Sequence, residues 1–384
     1  MMLVAWFVAT LLTQPVQGQA TAFDSGAVMF ERAERLLQAG QKDEALAWLR
    51  RVVALHQGYD PSGDARWAPL FADARFQRLV TEIHAALPVV HRSERAFTIA
   101  ESDLIPDGLG YDPTDDVFYL GSMAKRKIVK IRRDGSVSDF IGPREGGIFR
   151  VGSGMRVDPR TRTLWATADE PDSTGVFHYD LRTGRLIQRY AISAQGQSHL
   201  FNDLILNRRG DVFVTDTWGN HIYRIGHDTN RLELLTGDPT VPFANGIALS
   251  PDEAALYVTR SDGVVLIDLA TGHLRVLSHP RDVTLAGIDG LYCIGSSLIA
   301  VQQGVGWPRV VRFQLNAAGG DAVVGMDVLE ARNPLFFGWG ATTGAVVGDR
   351  FYYVANTQIW RFVNDRIDAP EKLTPIQILK VKFR

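Results

Sequence analysis

Four side chains that could bind a divalent cation stand at the same position of a pattern that recurs along the chain. They are Asp107, Asn202, Asn245 and Asp289, and an apolar run follows each of them. Carboxylate and amide oxygens are the ligands that a hard cation such as Ca²⁺ takes in proteins. The two carboxylates would also neutralise the charge of the ion.

A turn is the alternative interpretation of any single copy of the pattern. Asn-Gly and Asp-Gly are common turn pairs, so Asn245-Gly246 taken alone could simply open a hairpin. The case for metal ligands therefore depends on whether all copies share one register.

The pattern occurs six times, and every copy begins with a residue that carries a side-chain oxygen. Successive copies are 46, 49, 43, 44 and 54 residues apart. Each copy continues with a turn and a second apolar strand. The six copies are Asp107-Gly-Leu-Gly-Tyr, Ser153-Gly-Met-Arg-Val, Asn202-Asp-Leu-Ile-Leu, Asn245-Gly-Ile-Ala-Leu, Asp289-Gly-Leu-Tyr-Cys and Thr343-Gly-Ala-Val-Val.

Six four-stranded units at this period predict an all-β fold, a six-bladed β-propeller over residues 94–384. The innermost strands of a propeller line a central channel, so the six positions should converge at one mouth of it. Two carboxylates and two amides facing a narrow channel are destabilising unless they are paired. The shared register therefore favours a Ca²⁺ or other divalent site on the axis.

The outer strands and the closure of the ring are also predicted. The best candidates for third strands are residues 127–131, 221–225 and 358–362. Ring closure needs a strand from one end of the chain beside the other. Residues 95–99 and 376–381 are the candidates, and their order is left open.

The N-terminus predicts export. Residues 3–12 form an apolar core of signal-peptide length, and small residues in an A-x-A pattern follow at 20–22. Residues 1–22 are therefore predicted to be a signal peptide, which implies a periplasmic or secreted protein without a membrane span in the mature chain. No positive charge precedes the apolar core, so an uncleaved anchor or a mis-called start is the alternative, and the protein is cytoplasmic if the N-terminus is not cleaved.

Residues 23–93 have helical periodicity. Ala39-Gly40 interrupts the pattern and predicts an αα-hairpin that resembles one tetratricopeptide unit. A stable array needs about three such repeats, and the sequence has one. The helices could form a pad packed against the propeller or a docking module for a protein partner.

Composition excludes other classes of function. The formal net charge is -2 without a basic stripe, which argues against a nucleic-acid partner. The single cysteine, Cys293, cannot form an internal disulfide and stands in an apolar strand, where a buried, inert thiol is expected.

Several segments resemble the senescence marker protein (regucalcin)/gluconolactonase family, which belongs to the same six-bladed superfamily as paraoxonases and strictosidine synthase. They are SHLFNDLILNRRGDVFVTDTWGNHIYRI, FANGIALSPDEAALYVT, IPDGLGYDPTDDVFYLGSMAKRKIVKI and GIDGLYCIGSSLIAVQQG. The resemblance covers about residues 94–384. It implies a propeller that holds a catalytic Ca²⁺ or similar ion, with lactone or ester hydrolysis as the commonest activity.

The resemblance also implies a ligand set. By motif, the family's first-blade carboxylate falls on Asp107, its two asparagines on Asn202 and Asn245, and its axial aspartate on Asp289. Two departures matter. The first-blade ligand is usually Glu, one methylene longer than Asp107. The regucalcin branch has an arginine at the position of Leu200, where it helps to bind a sugar lactone, so a less polar lactone or ester is expected here.

His199 lies three residues before Asn202 and could act as a general base at neutral pH. A rim histidine held only by hydrogen bonds is the alternative. The sequence thus predicts a metal-dependent hydrolase of a small-molecule lactone or ester, in which Asp289, helped by His199, activates a water. The alternative is a non-catalytic scaffold with a structural ion and a helical hairpin that docks a protein partner.

Overall fold

The computed structural model describes residues 25–87, 89–143, 150–170, 172–193, 196–235, 240–336 and 340–384. The predicted signal peptide, residues 1–22, lies outside these residues. The described chain begins with helices and then forms strands that alternate with turns. In this described part no helix is both long and apolar enough to cross a membrane.

The strands form the six blades of a β-propeller, and the predicted fold is confirmed. Each blade is an antiparallel sheet. The first three blades contain β3 Pro106–Asp112, β4 Val117–Ser122, β5 Lys127–Ile131 and β6 Val137–Ile141; β7 Arg150–Asp158, β8 Thr163–Glu170, β9 Ser173–Asp180 and β10 Leu186–Ser193; and β11 Phe201–Leu206, β12 Val212–Asp216, β13 His221–Ile225 and β14 Leu232–Leu234.

The other three blades contain strands from both ends of the chain. They are β15 Ile247–Leu249, β16 Ala255–Arg260, β17 Gly263–Asp268 and β18 Leu274–Val276; β19 Ile288–Ile294, β20 Ser297–Gln302, β21 Arg309–Leu315 and β22 Val323–Ala331, with β1 Val90–His91 added at the outer edge; and β23 Gly344–Val347, β24 Arg350–Val354, β27 Ile376–Lys382 and β2 Glu94–Ile99. The innermost strand of each blade is β3, β7, β11, β15, β19 or β23. A separate hairpin pairs β25 Phe362–Val363 with β26 Arg366–Ile367.

The outermost strand of a blade is less buried than the strands inside it, which explains the sequence pattern. Every residue of β12 is buried, whereas five of the eight residues of β10 are exposed. A strand buried on both faces needs a continuous apolar run, and an edge strand with one wet face does not. The apolar side chains of adjacent blades pack together; Phe118 of the first blade, for example, contacts Tyr352 of the last, with ring centroids 5.1 Å apart.

The two ends of the chain close the ring within the last blade. The C-terminal strand β27 pairs with β24, and the N-terminal strand β2 pairs with the far side of β27 as the outermost strand. Both candidate closing strands therefore contribute, in the order that the sequence left open. Because this blade combines strands from both ends of the chain, the hydrogen bonds between these strands close the ring.

The prediction of a third strand over residues 358–362 is wrong. Residues Ile359–Arg361 form a 3₁₀ turn after Gln358, whose φ is 59°. The Gln358 side chain accepts a hydrogen bond from the Thr374 N–H at 2.9 Å and donates one to the Thr374 carbonyl at 3.1 Å. The apolar strand β27, which begins two residues after Thr374, takes the third place in the blade.

The N-terminal helices form a hairpin and a third helix, as the periodicity predicts. They are α1 Ser25–Gln38, α2 Lys42–Val53 and α3 Ala74–Ala86, and short 3₁₀ helices at Pro61–Gly63 and Ala65–Leu70 precede α3. Gly40 makes the hairpin turn with a φ of 78°. A tetratricopeptide-like character of the hairpin is not confirmed.

A buried glutamate in α1 predicts how pH affects stability. Burial raises the pKa of Glu34 from its ordinary 4.5 to about 7, and the nearby Arg66 charge opposes this rise. An acid whose pKa is raised in the folded chain weakens the fold as the pH rises through that interval. The free energy of unfolding of the parent protein should therefore fall by on the order of 3 kcal/mol between pH 5 and pH 8 because of this group, and Glu34→Gln should remove that fall.

Urea unfolding of both proteins at pH 5 and pH 8 measures this difference. Glu31→Gln, three residues away on α1 and paired with Arg35 at 3.3 Å, is the matched control and should leave the loss in place. A Glu34→Gln protein that loses as much stability as the parent between the two pH values would contradict the prediction.

Candidate functional site

The predicted ligands lie at one mouth of the propeller channel. In each blade the start of the first strand faces the end of the second; in the third blade Phe201 pairs with Asp216. The innermost strands of neighbouring blades contact one another around the ring, and Gly290 N–H donates to the Thr342 carbonyl at 3.1 Å between the last two. The repeated polar positions therefore surround the axis.

Asp107 and Asp289 lie near enough at this mouth to interact electrostatically. Desolvation raises the pKa of Asp107 to about 6, and the charge of Asp203 adds to the rise. Desolvation also raises the pKa of Asp289 well above its usual value, and the charges of Asp107 and Asp203 raise it further. These carboxylates are thus close enough to repel each other, and each disfavours ionisation of the next.

The two asparagines are held by different contacts. A hydrogen bond from the Asn245 side chain stabilises the ionised form of Asp289, while the Asn245 Oδ1 atom is buried without a hydrogen-bond partner. Asn202 Nδ2 donates to Thr217 Oγ1 at 3.0 Å. The ring thereby brings Asn245 against Asp289, whereas Asn202 is anchored to the end of β12.

The two remaining copies of the pattern have other environments. Thr343 Oγ1 donates to the Asp107 carbonyl at 2.8 Å, so it links the last blade to the first. The side chain of Ser153 lies outside the described residues, although its backbone belongs to β7.

A second charged group lies beside the two carboxylates, and the sequence analysis missed it. Asp203 is 1% exposed and accepts a hydrogen bond from Arg156 Nη2 at 3.2 Å. The Arg156 guanidinium also lies 5.3 Å from the centre of the Tyr292 ring. Asp203 therefore has its own cation, although burial still raises the pKa of its carboxyl against the opposing charge of Arg156. The carboxylates of Asp107 and Asp289 form no ion pair with an arginine, lysine or histidine in the described part of the chain.

The sequence did contain a signal for this group. Five of the six copies have glycine directly after the polar residue, and the third has Asp203. A Cβ atom at Gly246 would lie 2.2 Å from the Asp289 carbonyl oxygen, and one at Gly154 would lie 2.8 Å from that of Asn202. Glycine at this position thus leaves room for the innermost strand of the next blade. Where another residue replaces the glycine, as Asp203 does, its side chain must be accommodated beside the channel.

His199 reaches the mouth from the connection before β11. Its Nδ1 atom lies 2.5 Å from Asp216 Oδ2, and Asp216 is fully buried. The other carboxylate oxygen of Asp216 accepts hydrogen bonds from the N–H groups of Leu200 at 2.9 Å and Gly219 at 3.0 Å. The rim histidine therefore has a fixed carboxylate partner, which the sequence analysis did not identify.

The donor set at the mouth fits a hard divalent cation. Asp107 Oδ1 and Asn245 Oδ1 are buried and lack hydrogen-bond partners, and unpaired buried oxygens of this kind are destabilising. No group of three or more His, Cys, Asp or Glu side chains suited to a metal occurs in the ranges that the structure describes. A site here would therefore rely on both asparagine oxygens and the two carboxylates, a set suited to Ca²⁺.

The helical segment lies on the mouth side of the fifth blade. Asp60 N–H donates to the Val305 carbonyl at 2.7 Å, and its own carbonyl accepts from Trp307 N–H at 2.9 Å, in the turn after β20. Gln57 Nε2 donates to the Arg281 carbonyl at 3.0 Å in the connection that leads to Asp289. The helices thus hold the chain segment that precedes a predicted ligand.

The comparison with protein families identifies the central part of the chain. The family model described as SMP-30/Gluconolactonase/LRE-like region matches residues 105–293. The chain carries an SMP-30/gluconolactonase/LRE-like region. This region includes all four predicted ligands, and the resemblance seen in the sequence is confirmed. A comparison with curated proteins finds no match to the chain.

Solved structures share the propeller of this gluconolactonase-like region. A gluconolactonase from Xanthomonas campestris is 16% identical with a TM-score of 0.51, over 77% of this chain and 92% of its own. The calcium-binding protein regucalcin from Agrobacterium tumefaciens is 17% identical with a TM-score of 0.52, over 76% and 96%. The PQQ-bound aldose sugar dehydrogenase from Streptomyces coelicolor is 15% identical with a TM-score of 0.52, over 76% and 98%. These similarities show the shared fold.

The two kinds of carboxylate at the mouth should respond oppositely to neutralisation. Asp107→Asn should stabilise the protein at pH 8 in chelator, by roughly 1–3 kcal/mol, because it removes a desolvated charge beside Asp289. Asp203→Asn should destabilise it by a similar or larger amount, because Arg156 is left as an unpaired buried cation.

Urea unfolding in chelator distinguishes the two variants. Each substitution replaces one carboxylate by an amide of the same shape at neighbouring places in the channel, so each is a control for the other. An equal loss of stability in both variants would show that the ionised carboxylate of Asp107 does not destabilise the fold.

Proposed function

We propose that this protein hydrolyses lactones or esters with the help of a divalent cation, Ca²⁺ or a similar ion, at the mouth of the propeller. The observation that carries the proposal is the pair of desolvated, interacting carboxylates of Asp107 and Asp289, together with buried oxygens of Asp107 and Asn245 that have no hydrogen-bond partner. The gluconolactonase-like region that spans these residues supports the same class of reaction.

Asp107, Asn202, Asn245 and Asp289 would hold the ion. Four protein oxygens leave coordination positions open on an ion that takes 6–8 ligands. When bound, the ion would act as a Lewis acid toward a substrate carbonyl and compensate the charge of the two aspartates. The Arg156–Asp203 pair beside them would keep the channel side of the site neutral.

The remaining chemistry belongs to the residues of the chain. Asp289 would accept a hydrogen bond from the attacking water, and either Asp289 or His199 would take its proton. The partial exposure of both side chains allows a substrate to approach them from the mouth. No serine or cysteine nucleophile is required, since water attacks the carbonyl directly.

The rim favours a substrate that is less polar than a sugar lactone. Leu200 is half-buried there and holds its place through backbone hydrogen bonds with Asp216 and Thr217. Trp218, in the turn after β12, is 38% exposed. An aliphatic side chain and an indole at the entrance offer apolar contact, which suits an alkyl or aryl substituent.

Metal binding can be tested without a substrate. Calorimetry should find one Ca²⁺ site, and saturating Ca²⁺ at 100 times its Kd should stabilise the fold by about 2.7 kcal/mol. The double change Asn245→Ala and Asp289→Ala should abolish both effects. Asn207→Ala, at the opposite end of the third blade, is the control and should leave Ca²⁺ binding intact. Unchanged binding in the double variant would refute the assignment of the ligands.

Activity is tested with a panel of alkyl and aromatic lactones and aryl esters, assayed with Ca²⁺ and with chelator. Turnover should depend on the ion and should fall at least about 100-fold in Asp289→Asn, which loses a ligand and a proton acceptor. Circular dichroism of the variant verifies that the propeller is intact. If Ca²⁺ binds and exchanges only on unfolding, and no substrate is turned over, the protein is a scaffold with a structural ion.

A further inference from the structure

We infer that Asp216 is a positioning residue that makes His199 the proton carrier of the reaction, so that His199 Nε2 takes a proton from the attacking water and returns it to the leaving oxygen. This inference rests on the proposed hydrolase function. Asp216 itself touches neither substrate nor ion, and it acts through the orientation of the imidazole.

The carboxylate of Asp216 is fixed at both oxygens. Oδ1 accepts the N–H groups of Leu200 and Gly219 at 2.9 and 3.0 Å, and Oδ2 lies 2.5 Å from His199 Nδ1. The residue is fully buried at the end of β12. A carboxylate held in this way cannot rotate to another partner, so it presents one acceptor in one direction.

This contact determines which nitrogen of His199 can accept a proton. A carboxylate oxygen accepts hydrogen bonds, so Nδ1 must donate its hydrogen to Oδ2. The neutral imidazole then carries its lone pair on Nε2, the nitrogen on the far side of the ring. The His199 side chain is 12% exposed while Nδ1 is held against the fully buried Asp216. We place Nε2 on the exposed side of the ring, where it would meet a molecule at the mouth.

Gly219 provides the space for this pair. A Cβ atom at position 219 would lie 2.2 Å from Asp216 Oδ2 and 2.9 Å from His199 Nδ1. Any other residue would therefore displace the two atoms that make the contact. The turn after β12 is thus shaped around the histidine and the aspartate together.

The same turn connects this pair to the predicted metal ligands. Thr217, the residue after Asp216, accepts a hydrogen bond from Asn202 Nδ2 at 3.0 Å and donates one to the Ala244 carbonyl at 2.6 Å, next to Asn245. Adjacent residues therefore hold the histidine and an asparagine of the site. Their spacing is fixed by backbone geometry, which is what a reaction between an oriented water and a bound carbonyl requires.

The proton balance of the step is closed. As the water oxygen bonds to the carbonyl carbon, one of its O–H bonds breaks and the proton moves to Nε2 of His199. When the bond between the carbonyl carbon and the leaving oxygen breaks, that oxygen receives the same proton from Nε2. His199 ends neutral, and no co-reactant other than water is consumed.

The leaving group provides a test that a merely structural role would not affect. Ethyl butanoate releases an alkoxide that needs a proton, whereas 4-nitrophenyl butanoate releases a stable phenolate that does not. In Asp216→Asn, kcat for the ethyl ester should fall by about 10²–10⁴-fold, and kcat for the nitrophenyl ester should fall at least about tenfold less. An equal fall with both esters, or no fall, would overturn the inference.

Two further variants keep the test decisive, one as a substitute for Asp216→Asn and one as a control. His199→Gln leaves Asp216 and its backbone hydrogen bonds in place and should give the same preference between the esters, even if Asp216→Asn folds poorly. Asp211→Asn is the matched control, because Asp211 is a buried aspartate at the opposite end of β12 that accepts His227 N–H at 2.9 Å. It should lower stability and leave the ratio of the two kcat values unchanged.

A spectroscopic measurement separates this inference from the proposed function. In ¹⁵N-histidine spectra recorded at a pH where the imidazole is neutral, the signal lost in His199→Gln should show a protonated Nδ1 and an unprotonated Nε2, and Asp216→Asn should change that tautomer. The opposite tautomer in the parent protein would overturn the inference whatever the activity. If the tautomer is as expected but no ester or lactone is hydrolysed, the proposed function fails and the catalytic role of His199 fails with it.

Discussion

The close approach of the innermost strands is the constraint on which the rest of the structure depends. At Gly246 and Gly154 the neighbouring strand comes so near that a Cβ atom would lie within 3 Å of its carbonyl oxygen. Because the strands converge so tightly, the side chains that directly precede these glycines are brought into one small area around the axis. The repeated polar residue and the glycine after it are therefore two consequences of one geometry, and a charge placed at this position cannot avoid the others.

This convergence gives the channel two different solutions for its acidic side chains. Asp203 is neutralised inside the protein, because Arg156 donates to it and Tyr292 lies beside the guanidinium. Asp107 and Asp289 lack such a partner among the described residues; burial raises the pKa of both carboxyls, and the charge of Asp203 adds to each rise. A protein that keeps one carboxylate compensated and two uncompensated within the same channel has a site whose charge favours an external cation.

Residue positions that recur in every blade could be predicted from the sequence, whereas contacts that occur only once in the fold could not. The shared register of Asp107, Asn202, Asn245 and Asp289 was visible because each copy opens a strand at the same place in its blade. The third strand of the last blade was mispredicted because residues 358–362 have the right alternation, while the hydrogen bonds of Gln358 to distant Thr374 decide the pairing. Asp216 lay outside the repeated position, and only the fold shows that it meets His199.

Hydrogen bonds to residues at the ends of buried strands hold polar side chains at the mouth in place. Asp216 and Thr217 end one buried strand and fix both His199 and Asn202. In the fifth blade the N-terminal helical segment holds the connection that leads to Asp289 through Gln57, and it holds the turn after β20 through Asp60. The helical segment therefore restrains the backbone that leads to the predicted ligand Asp289. This attachment makes the helical segment part of the framework that positions the predicted ligand Asp289, whatever else its outer face contacts.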